Sequence, residues 1–255
     1  MLKNLIYYVL TAAVRDKLFL SFFLLLAIGV SLSIFMGSSA VTEQDQFTLV
    51  FVASGLRLAS VFGVVLFVVF FIRRSFESRD VEYLLTRPIT RLDFLLSHVV
   101  AFTVIAFCFT ALTAICIYVL ATKGSVQSAY FLWVFSFFAE LVIIANVAFF
   151  FSMVLSSAVA SVLITGAFYL LSRLIGQILG IIEAYNYSDA FVLMEKVMLV
   201  ISAIIPRLDL MGQSSWLLYG AKEGAISYTF IVLQMLVFSF LVLAAAMVDL
   251  KRKQF

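Results

Sequence analysis

Two ionisable side chains, Glu140 and Arg173, sit deep inside long apolar runs of this 255-residue chain. A lone charge at a bilayer centre costs roughly 2.5 to 3.5 kcal/mol on insertion scales, so each needs a partner or a task. Tyr169, Arg173 and Gln177 recur at i, i+4 and i+8 and form a stripe on one helix. Such a set could close an ion pair between Glu140 and Arg173, or line a path for a polar substrate. Asn146 is six residues from Glu140 and need not share its face. Enzyme chemistry has less to draw on. His98 is the single histidine, and Cys108 and Cys116 share one apolar run. That spacing supplies neither a metal-ligand set nor a nucleophile with a base. A Gly-x-x-x-x-Gly-Lys-Ser/Thr phosphate loop is also missing from the chain. No catalytic residue, bound cofactor or metal is expected here.

The second concentration of polar groups is ESRDVEYLLTRPITRLDFLLSH, residues 77 to 98. Val81, Leu84 and Leu85 fall at helical spacing, with Glu77, Arg79, Asp80 and Glu82 left polar, which predicts a short amphipathic helix over 76 to 86. Arg87-Pro88 must end it, because the residue before proline is pushed out of the α region. Thr90 and Asp93 then make a capping-box pattern in front of the next apolar run. A rigid segment of mixed charge suits docking on a partner, with the charges selecting that partner. The plainer reading is a solvated connection.

The elements that carry these groups follow from composition. Hydrophobic residues make up 65% and charged residues 12% of the chain, against roughly 25% charged in soluble domains, and the mean hydropathy is +1.18. The apolar runs do not alternate, which favours spanning helices over barrel strands. An all-α polytopic membrane protein is therefore expected, built as a single domain over 1 to 255. A core of about 30 Å needs roughly 20 apolar residues, and six stretches qualify: 18 to 37, 54 to 72, 95 to 121, 129 to 152, 159 to 182 and 227 to 248. Of the 17 basic residues, Lys3, Arg15, Lys17, Arg73, Arg74, Arg79, Arg87, Arg91, Lys251, Arg252 and Lys253 fall on one side of that arrangement. The positive-inside rule makes that side cytoplasmic and places both termini there.

Leu2, Leu5, Ile6, Val9, Leu10 and Ala13 recur at helical spacing ahead of the first span, and predict an interfacial helix over 1 to 17. The external segment 183 to 226 is long for a loop. Its apolar stretch from Phe191 to Ile205 contains Glu195 and Lys196 and is too short to span, so a re-entrant or surface-lying helical pair is expected. Trp133, Trp216, Tyr130, Tyr185, Tyr187, Tyr219 and Tyr228 cluster near the external boundaries, as an interfacial belt would. Ser172, Gly176 and Gly180 repeat every four residues and suit a close helix contact, internal or between copies.

The run from Glu82 to Arg91, EYLLTRPITR, followed by Phe94-Leu95-Leu96, resembles the signature after the second span of ABC-2-type transporter permeases. The likeness is greatest to the subgroup associated with maturation of multicopper enzymes and of nitrous-oxide reductase. Pro206-Arg207-Leu208-Asp209-Leu210 is similar to an element such permeases carry before their last helix, although Ser97-His98 and Met211 depart from the common pattern. The resemblance implies a multi-pass permease subunit of a bacterial-type inner membrane that couples ATP hydrolysis on a separate nucleotide-binding subunit to export or transfer of a substrate. ATP and Mg would be bound by that partner, beside a second permease copy or homologue. Residues 73 to 94 would be the cytoplasmic coupling segment, with Glu82, Arg87, Pro88, Arg91 and Asp93 as its main contacts and Arg79 and Asp80 as further ones. The net charge of +3 gives no reason to expect nucleic acid. A gradient-driven secondary transporter or a non-transporting assembly factor is the alternative.

Overall fold

The computed structural model of the protein describes residues 2–38, 44–78, 90–121, 129–184, 196–197, 201, 205–220 and 226–252. The described residues form helices and connections with no strand. In chain order the helices are α1 (Leu2–Arg15), α2 (Leu18–Ser38), α3 (Gln44–Glu77), α4 (Arg91–Leu120), α5 (Ala129–Val154), α6 (Ala158–Ala184), a 3-10 turn (Leu208–Leu210), α7 (Trp216–Tyr219) and α8 (Tyr228–Arg252). Six of them, α2 to α6 and α8, are long and apolar enough to cross a membrane. Pro206, the one proline among the described residues, falls outside the helices, so none of the described helices loses an internal hydrogen bond to a pyrrolidine ring.

The expected spans are all present, with one large difference in extent. α3 begins at Gln44 rather than 54 and runs for 34 residues. At 1.5 Å per residue it is about 51 Å long, well beyond a hydrocarbon core of about 30 Å. Its buried side chains, among them Val52, Leu56, Ser60, Val64, Phe67 and Phe71, follow one face through its whole length.

α5 is the hub, packing against α3, α4, α6 and α8. In its most apolar window 72% of residues are buried, against 11% in α8, whose remaining surface faces outward. Aromatic side chains fill the contact between α3, α4 and α5: Phe71 and Phe102 meet edge to face at 6.4 Å, and His98 stacks on Phe149 at 5.8 Å. The His98 imidazole Nδ1 is 2.7 Å from the Phe94 carbonyl and is fully enclosed in this cluster.

α1 is a helix of its own. It buries Leu5, Val9, Ala12 and Ala13 against α4 and α2, and the chain breaks at Lys17, whose φ of 57° lies in the left-handed region. The expected aromatic belt is only partly present. Trp133, Trp216 and Tyr130 are buried, and the Tyr130 hydroxyl donates to the Ala114 carbonyl at 2.6 Å to join α5 to α4. Tyr219 and Tyr228 are exposed, and Tyr185 and Tyr187 lie outside the described residues.

Candidate functional site

Glu140 projects from α5 and is completely buried. Eleven residues separate it from the Ala129 end of that helix, a depth of about 16 Å. Its ion pair is with Arg57 of α3: Nε and Nη2 of Arg57 reach Oε2 at 2.8 and 2.7 Å. The Glu140 to Arg173 pair expected from matching depths is not the one formed. The reason is the length of α3. Because that helix starts at Gln44, Arg57 is thirteen residues in, about 20 Å deep, rather than close to a helix end.

Arg173 still belongs to the same cluster. Its Nη1 donates to the carbonyl of Met211 at 2.7 Å and to that of Leu208. Glu140 lies within its electrostatic reach and within that of Tyr169, which is itself buried. Gln177 is not part of it. Each i+4 step advances about 40° around a helix of 3.6 residues per turn, so the stripe that starts at Tyr169 has rotated outward by Gln177, which is exposed.

The third component is the chain from Pro206 to Tyr219, which enters the bundle from the Ala129 end and packs against α3, α5 and α6. Two arginines hold it by its carbonyls. Arg57 donates Nη1 to Gly212 O and Nη2 to Met211 O at 3.2 Å, so Met211 O accepts from Arg57 and Arg173 together. The Gly212 N–H in turn donates to Ser136 Oγ of α5 at 2.9 Å. Gly212 has φ +55°, and an added Cβ would stand 3.2 Å from the Arg57 guanidinium carbon. Glycine is required there for backbone and space alike. Gly176 gives similar room: a Cβ on it would collide with the Asp209 carboxylate, which accepts a bidentate pair from Arg207 at 2.9 Å on both oxygens. The small-residue stripe of α6 thus serves an internal contact at Gly176 and Ser172, while Gly180 faces open space.

Chemically this is a clamp. Guanidinium groups meet backbone oxygens and one carboxylate in a water-poor interior, where an unpaired charge would be very costly. Glu140 Oε1 makes no hydrogen bond of ordinary geometry among the described residues, and the Tyr169 hydroxyl is the donor nearest to hand for that carboxylate. The sequence does not single out Ser136 or Gly212, and it places Arg57 near the outer end of its span, where it could snorkel to the interface, with no function assigned. The signal available for Arg57 is a basic residue followed by fifteen mostly apolar ones, residues 58 to 72.

At the opposite end of the bundle, two further arginines tie neighbouring helix ends together. Arg73, near the end of α3, donates Nη1 to the Leu155 carbonyl at the junction of α5 and α6, at 3.1 Å. Arg91, at the start of α4, donates Nη1 to the carbonyls of Leu250 and Lys251 at the end of α8, at 2.9 and 3.0 Å. The expected capping box is present: Thr90 Oγ1 accepts from Asp93 N at 3.1 Å, and Thr90 N donates to Asp93 Oδ2 at 3.4 Å. Arg79, Asp80, Glu82, Arg87 and Pro88 lie outside the described residues.

Neither a protein-family model nor a curated protein matches the chain.

Proposed function

We propose that the protein is the permease subunit of an ABC transporter of the ABC-2 type, lying in a bacterial-type inner membrane and driven by ATP hydrolysis on a separate subunit. The observation that carries this reading is the pair of braces around residues 79–89. A push on that segment meets Arg91, which holds the end of α8, and Arg73, which holds the α5–α6 junction. Motion of a docked partner would reach three spanning helices through hydrogen bonds, with Thr90 and Asp93 keeping the start of α4 rigid. Closure of the partner ATPase around nucleotide would then shift the population of two bundle arrangements.

The same end carries Asp16, Arg74 and the last turn of α8 with Lys251 and Arg252, so it is the cytoplasmic face by the positive-inside rule. On that assignment both termini are inside, α1 lies along the inner surface, and the Pro206–Tyr219 segment is re-entrant from outside.

The test is affinity capture of the tagged chain from its native membrane in mild detergent, followed by mass spectrometry and an ATPase assay. Recovery of a Walker-motif ATPase is expected, with capture or coupling weakened in a Glu82→Ala/Arg87→Ala variant. If no ATPase is found even after crosslinking, the reading fails. Gradient-driven transport is the second reading, favoured by the buried Arg57, Glu140 and Arg173 cluster at the place where a helical segment enters the bundle. Substrate flux in proteoliposomes without ATP, powered by an imposed proton gradient, would select it.

A further inference from the structure

Between α2 and α3 a lateral groove of about 430 Å³ opens on the outer surface of the bundle. Its walls are apolar for most of their length, with Leu25, Leu66 and Phe70 each more than a third exposed to the surroundings. The polar groups are gathered at one end, where Asp16 and Arg74 form the rim. Eleven residues of α3 separate Arg74 from Gly63 at the deep end, about 16 Å along the helix and close to half of a 30 Å hydrocarbon core. The groove therefore has the length of one leaflet and the polarity of one lipid: a greasy slot ending in charge.

The sign of that charge is positive. Arg74 contacts Asp16 only at 3.7 Å and remains two-thirds exposed, while Arg15 and Lys17 stand exposed on either side of Asp16. Three cations thus accompany one carboxylate near this end of the groove: Arg74 and Asp16 line it, and Arg15 and Lys17 flank Asp16 in the chain. Gly63 lines the slot where α3 packs closely on Phe109 of α4: a Cβ there would stand 3.3 Å from that ring.

We propose that this groove binds one anionic phospholipid of the leaflet beside α1, its acyl chain between α2 and α3 and its phosphate at Arg74 and Lys17. The site is independent of the transport reading, because it needs only the geometry of α2 and α3 and the charge of the rim.

The experiment is native mass spectrometry of the delipidated full-length chain titrated with phosphatidylglycerol or with phosphatidylcholine. Phosphatidylglycerol should bind about tenfold more tightly, the increment expected from one to two surface cations. Arg74→Gln should remove most of that preference while leaving acyl binding. Ser21→Trp, which places a ring in the slot, should weaken both lipids. Leu25→Cys tests a protein occupant through crosslinking between copies. Equal affinity for the two lipids, an unchanged preference in Arg74→Gln, or efficient Leu25→Cys crosslinking that lipid does not suppress would overturn the proposal.

Discussion

Arg57→Ala should destabilise the protein more than Glu140→Ala, although each removes half of the same ion pair. Breaking a buried pair by deleting one partner costs about 3–5 kcal/mol, most of it from the charge left behind. What is left behind differs in the two variants. Without Glu140, the Arg57 guanidinium still donates to Met211 O and Gly212 O, which puts the loss at the lower bound, about 3 kcal/mol. Without Arg57, the Glu140 carboxylate loses both its charge partner and its donors, and Gly212 O loses a donor, which puts the loss near the upper bound, about 5 kcal/mol. At about 2–4 °C per kcal/mol for a chain of this size, the midpoints should fall by about 6–12 °C for Glu140→Ala and 10–20 °C for Arg57→Ala. Arg57→Met/Glu140→Leu, which removes both charges, should be less damaging than Arg57→Ala alone. The assay is thermal unfolding of the detergent-solubilised protein followed by size-exclusion chromatography with fluorescence detection. Equal small shifts in the two single variants, or a double variant that loses the sum of the singles, would refute the account of the clamp.

Gly212→Ala should cost about 1–2 kcal/mol from its left-handed backbone alone, and more through displacement of Arg57; the same melting assay reads it. Gly176→Leu should drive Asp209 from its seat on α6 and destabilise by about 1–3 kcal/mol, with faster proteolysis near Arg207 as a local readout. Thr90→Ala should cost about 0.5–2 kcal/mol by removing the cap of α4, a loss that Thr90→Ser should largely avoid. Arg91→Gln should lower substrate-stimulated ATPase activity, because it frees the end of α8 from the start of α4; unchanged stimulation would argue against transmission through that brace.

The spans could be read from the sequence because hydrocarbon thickness sets a fixed length of apolar helix. That ruler says nothing about where a helix stops outside the hydrocarbon, so it does not reach the ten residues from Gln44 to Ala53 that extend α3. A span that starts near 54 puts Arg57 at a helix end and leaves Arg173 as the charge whose depth matches that of Glu140. Depth was sound evidence, but three helices place a charge at similar depth and only packing selects between them. The capping box of Thr90 and Asp93 was legible because its chemistry is local, confined to four residues. The contacts of Pro206–Gly212 were not, because backbone carbonyls carry no sequence signal and they are what the two arginines hold. Trp133 shows the same limit: an aromatic near a span boundary reads as interfacial until a neighbouring segment covers it.

The clamp also has a history in the life of each molecule. Arg57 and Glu140 are 83 residues apart in the chain, and at about 5–20 residues per second of synthesis roughly 4 to 17 s pass between their emergence from the ribosome. Throughout that interval α3 carries a guanidinium whose carboxylate has not yet been made. The nascent helix must wait at the insertion machinery, at the lipid headgroups or beside another protein until α5 arrives. Met211 and Gly212 come later still, so the buried cluster is completed only when most of the chain has been translated. A chain truncated before α5 would carry Arg57 without its partner, a ready mark by which membrane quality control could distinguish unfinished copies from finished ones.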